Sequence, residues 1–140
     1  MRKIKFRGRH LCGQWYYGNL IVRETDSPVP ETPQAYKCVM IGDIEDGSAE
    51  EVEEETIGQF TGLLDKNNKE IYEGDILKVY YYGKSKVFGV VRFYAARFYI
   101  DDDYMRNEHK VKVPMAELFS RYQFEIIGNI HDNPELLKGN

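Results

Sequence analysis

Apolar and polar residues alternate along much of this chain with a period of two, the spacing of a strand with one face buried. Ile4-Lys5-Phe6-Arg7 sets the pattern and assigns Lys3, Lys5 and Arg7 to the wet face of a first strand. Further strands are predicted over residues 15–22, 36–41, 56–61, 76–82, 87–94, 98–100 and 122–130, with a brief pairing over 111–113. A turn at Gly13, a hairpin loop at Gly83-Lys84-Ser85-Lys86 and a connection at Ala95-Ala96-Arg97 separate them, and Gly89 suggests a bulge. The period turns helical only briefly. Pro114 opens a short turn with Met115, Leu118 and Phe119 on one face, and Asn133 caps a terminal turn that Pro134 begins and Gly139 ends. The fold class expected is mostly β: a sheet of small strands or an SH3-like barrel, with one or two short helical turns. It forms one domain over residues 1–140, with a strand meander at 71–100 and flexible loops near 24–35, where three prolines fall, and 43–55.

Composition sharpens this picture. Aromatic residues make up 14% of the chain, eleven of them Tyr, which favours strands. The net charge of −4 is uneven: of 23 acids, eight lie in Asp43–Glu55 with no base among them, so the other 15 face 19 bases. The acidic tract is expected to be solvated, finishing in a helical turn near Val52. The remainder is mildly basic, which admits an anionic partner without requiring one. Cys12 and Cys38 have no ligand-spaced neighbours and read as buried free thiols, with a disulfide between them as the alternative. The N-terminus is charged throughout and no run would span a bilayer, so a cytoplasmic location is expected and no membrane contact.

The densest punctuation lies in TGLLDKNNKEIYEGDIL, residues 61–77. Asp65-x-Asn67-x-Lys69 begins like a calcium loop, but Lys69 stands at an oxygen-ligand position and Glu70 where glycine is required. A phosphate cradle fails because Gly62 and Gly74 are far apart and strands, not a helix, follow. Two tight turns account for the stretch better. Asn67-Asn68 suits the left-handed backbone of a hairpin turn, Asp65 bonds the local backbone, and Gly74 and Asp75 form a second corner. Acid–base work by Glu73 and Asp75 is the distant alternative, since no partner base is visible. His10, His109 and His131 are scattered and read as surface or capping residues, and Asp101-Asp102-Asp103 opens a solvated loop running to about Lys110.

Residues 56–79, TIGQFTGLLDKNNKEIYEGDILKV, resemble the signature of the YopX family of phage and prophage proteins. RKIKFRG at 2–8, WYYGNLI at 15–21 and FEIIGNIHDNPELL at 124–137 extend the resemblance over nearly the whole chain. Asn68 stands where the family has glycine and tolerates the same backbone region. The resemblance implies a mostly-β fold and a setting in phages, prophages and mobile elements. It brings no catalytic residues, metal or cofactor.

One surface combines base and aromatic character: Lys78, Tyr80, Tyr82, Lys84, Lys86, Arg92, Tyr94 and Arg97 on one predicted hairpin, with the N-terminal bases as an extension. Alternation places Lys78, Tyr80 and Tyr82 on one strand face, and Arg92 with Tyr94 on one face of the next. The leading expectation is an accessory protein that binds a protein partner without catalysis, with homo-oligomers through open strand edges. The alternative is a small barrel that stacks bases on these tyrosines and meets phosphates with these cations.

Overall fold

The structure is a computed structural model that describes residues 1–25, 36–101 and 112–137. The proline loop, Asp102, Asp103, His109, Val111 and Gly139 lie outside the described residues. The chain divides into two compact units, Met1–Gln59 and Phe60–Asn140, and every strand pairing among the described residues is antiparallel.

The first unit is built on β1 (Phe6–Arg9), β2 (Trp15–Thr25), β3 (Tyr36–Gly42) and β4 (Glu50–Glu51), in the order β4-β3-β2-β1. The first two residues of β5 (Gly58–Leu64) pair with the far edge of β1. Alternation misassigns β1. Ile4 is exposed, whereas Arg7 is 6% exposed with its guanidinium 4.7 Å from the centre of the Trp15 ring. A guanidinium placed over an aromatic face tolerates burial that a lysine head would not. On the opposite face of β1, Gly8 leaves room for Val52 and Ile41, both buried.

The acidic tract carries more structure than its composition suggests. Asp43 and Asp46 accept backbone N–H bonds from Glu45 and Ser48. Glu50 and Glu51 pair with Ile41 and Met40, and a 3-10 turn follows at Glu54–Thr56. Glu53 meets Arg9, Glu54 meets Lys37, and Val52 drops into the core. One apolar residue and two cations thus tie the end of the tract to β1 and β3. Both cysteines are free, but neither is buried: Cys12 is exposed and Cys38 half-buried.

The second unit takes β5 from Phe60, then β6 (Glu70–Tyr72), β7 (Asp75–Tyr81), β8 (Lys84–Tyr94), β9 (Arg97–Asp101), β10 (Lys112–Pro114), helix α1 (Met115–Phe119) and β11 (Gln123–Asn129). Its five-stranded sheet runs β10-β9-β8-β7-β11 and ends on two different strands. Among the described residues, therefore, open sheets form and no SH3-like barrel closes. The core on one sheet face joins Leu77, Val79, Val91, Ile100 and Phe124 to Met115 and Leu118 of α1 and to Ile71. Phe119 stacks on Phe124 at 4.6 Å between ring centres. No helix among the described residues is long and apolar enough to cross a membrane.

The two corners of the signature stretch are as the turn chemistry requires. Asn68 has φ 63° and Gly74 φ 87°. One Asp65 oxygen accepts the N–H groups of Asn67 and Lys69 at 2.8 and 2.9 Å, and the other accepts that of Ile126 at 3.1 Å. Asp75, 1% exposed, accepts the N–H of Tyr72. Both carboxylates hold backbone in place. Near the C-terminus the 3-10 turn Pro134–Leu137 forms, the Leu136 N–H donates to the Asn133 carbonyl, and the Asn133 side chain accepts the N–H of Asn129. Gly128 makes room for that side chain.

Candidate functional site: a tyrosine groove at the end of the β7–β8 hairpin

Strands β7 and β8 meet in a two-residue turn, not the four-residue loop that composition suggests. Tyr81 pairs with Lys84, and the residues between them, Tyr82 and Gly83, have φ values of 46° and 73°. Positive φ at both central positions is the twist-matched hairpin turn that favours Asn-Gly. A bulky residue there is a conformational outlier. Tyr82 is also 97% exposed, so among the described residues no packing repays the strain.

The tight turn re-sorts the candidate surface. Because the turn takes only two residues, Lys84 and Lys86 belong to β8, opposite Tyr81 and Val79. They stand on the face that carries the core. Lys78 and Tyr80 point to the other face, together with Arg92, Tyr94 and Arg97, whose cross-strand pairs are Arg92 with Tyr99 and Tyr94 with Arg97. Tyr82 belongs to neither face. The eight residues thus fall into five on one sheet face, two on the other and one at the tip.

On the first face, Tyr80 is engaged in a cluster that sequence reading did not anticipate. Its hydroxyl donates to Glu125 of β11, the Lys66 ammonium lies 3.9 Å from its ring centre, and Lys78 lies 5.7 Å away. Lys66 also approaches Glu125 at 3.8 Å, and the Asn67 amide donates to it at 3.4 Å. The Tyr80 hydrogen bond, and then the Lys66 charge, the Asn67 amide and the Lys78 charge, hold the Glu125 carboxyl below its ordinary value against a cost of desolvation. Pairing of Glu125 with Lys78 across β11 and β7 is the relationship that assembles this group. Only the strand order, absent from the local pattern, could have revealed it.

At the hairpin end, two clefts share Tyr81, Tyr82 and Tyr122. One, of about 450 Å³, adds Tyr80, Gly83, Arg121 and Gln123; the other, of about 360 Å³, adds Val79, Lys86 and Leu118. Arg121 and Tyr122 follow α1, where the N–H groups of both bond to the Leu118 carbonyl and turn the chain into β11. Sequence reading missed Tyr81, Arg121 and Tyr122. Recognising Tyr82-Gly83 as a two-residue turn would have placed the end of β7 at the tip, but not α1 beside it.

An open-sheet, antiparallel β protein with an aromatic, positively lined groove at one hairpin is the class these features define. The chain belongs to the YopX protein family, whose model matches residues 5–138. It also resembles the crystal structure of protein EF1440 from Enterococcus faecalis, with 24% identity over 98% of this chain and 99% of that one and a TM-score of 0.53. At that identity the likeness speaks for the fold alone. No curated protein matches the chain.

Proposed function

We propose that this protein is a non-enzymatic accessory protein of a phage or mobile element that acts by binding a protein partner at the tyrosine groove. The observation that carries this reading is Tyr82: fully exposed, at positive φ, and lining both clefts. Local rules favour Asn or Gly at that position, and departures from local rules concentrate where function demands them. Tyr and Arg are the residues that anchor protein interfaces, because they bury large area with few rotatable bonds. Affinity purification from host cells tests it, with Tyr82→Ser as control. A protein retained by the parent chain, lost with the variant and bound by the purified parent in calorimetry supports the reading. Equal recovery of every protein by both chains contradicts it.

Nucleic-acid binding is the second reading, favoured by the shared face of Lys78, Tyr80, Arg92, Tyr94 and Arg97. Against it, Lys66 and Lys78 already surround Glu125. A salt titration with single- and double-stranded oligonucleotides decides this reading. Affinity falling steeply with salt supports it, since displaced counterions drive such binding, and no binding at low salt excludes it.

A further inference from the structure

We infer that the groove takes an extended segment of the partner that carries carboxylates around an apolar or aromatic side chain. This inference rests on the proposed protein-binding role and adds the chemistry of the partner. The two clefts share Tyr81, Tyr82 and Tyr122 and differ in the rest of their linings, so together they offer a path longer than one side chain. Arg121 lines one cleft and Lys86 the other; among the described residues neither lining includes an Asp or Glu. Lys84, opposite Tyr81, adds a third positive charge beside the path.

Each part has a chemical counterpart. The Arg121 fork, exposed, matches a carboxylate with two parallel hydrogen bonds. The tyrosine rings offer area to an apolar anchor, and their hydroxyls can donate to a second carboxylate. Leu118 and Val79 floor the second cleft and supply apolar depth. A long polyanion is a poorer match. The bases that would track a continuous phosphate backbone are divided between opposite faces of the sheet.

Selection of short random peptides on the full chain tests the inference, followed by fluorescence anisotropy of the enriched peptides against the parent chain, Tyr82→Ser, Arg121→Glu and Arg121→Lys. Enriched peptides are expected to be net negative with at least one large apolar residue. Their affinity is expected to fall about tenfold or more in Arg121→Glu and only about two- to threefold in Arg121→Lys. Peptides that depend on Tyr82 but are neutral or basic overturn the acidic partner and leave the groove as a protein-binding site. Peptides indifferent to both Tyr82 and Arg121 overturn the groove as well. Tyr82-dependent binding of an oligothymidylate that displaces the peptides replaces this inference with a nucleic-acid partner.

Discussion

Asp65 and Ile126 are 61 residues apart, yet the Asp65 carboxylate accepts the Ile126 N–H at 3.1 Å while its other oxygen closes its own turn. The neighbouring Lys66 N–H donates to the Phe124 carbonyl, so the β5–β6 turn is stitched to the outer edge of β11 at two points. A buried carboxylate thus fixes both a corner and the strand it docks on.

Removing that carboxylate strands three backbone donors at a site 5% exposed. Asp65→Ala is expected to destabilise the second unit by about 3 kcal/mol, and Asp65→Asn by less, because one amide oxygen still accepts. Urea denaturation followed by tyrosine fluorescence reads both. Unchanged midpoints would remove Asp65 from this structural role.

In the first unit, a Cβ added at Gly8 would lie 2.6 Å from Val52 Cγ2 and 3.1 Å from Ile41 Cγ1. Gly8→Ala is expected to cost about 1–3 kcal/mol through overpacking. The same substitution should cost less in a Val52→Ala background, where the clashing methyl groups are gone. Equal costs in both backgrounds would place the strain elsewhere.

Ala95 and Ala96 join β8 to β9 with φ values of 50° and 64°, the second two-residue turn with positive φ at both positions. Alanine gains nothing there. Ala95→Asn with Ala96→Gly is expected to stabilise the protein by about 1–2 kcal/mol, seen as a higher melting temperature. A lower one would show that the hairpin is held by something other than its turn.

Glu125 provides a pH test. Its folded pKa is lowered, so the contribution is present above the ordinary carboxylate value of 4.5 and is lost as pH falls through the folded pKa. Tyr80→Phe removes the largest cause of the shift and is expected to move the Glu125 titration upward in NMR. An unmoved titration would mean that the hydroxyl does not hold this carboxylate.

Much of the fold is legible in the chain because turn chemistry is local. Asn67-Asn68, Gly74 and the β-branched run after Asp75 announce themselves within a few residues. Arg7 does not, since its burial depends on Trp15 across the strand pair. Val52 is masked by the acids around it and pulled inward by Gly8 and Ile41. The candidate site is legible only in part. Tyr82 and Lys86 stand out in the sequence, but their neighbours Arg121 and Tyr122 arrive through α1 and β11, a long-range pairing that no local pattern encodes. The tip of the β7–β8 hairpin is hidden from local pattern because Tyr-Gly is an unfavourable pair for the turn it makes.

That same unfavourable pair gives the most direct test of the groove. If Tyr82 is kept for binding at a local conformational cost, Tyr82→Asn separates the two effects. The variant is expected to melt about 3 °C higher, as a relieved strain of roughly 1 kcal/mol implies, while its affinity for groove-selected peptides falls at least about tenfold. Unchanged affinity, or lost binding together with a lower melting temperature, would contradict a binding role for Tyr82.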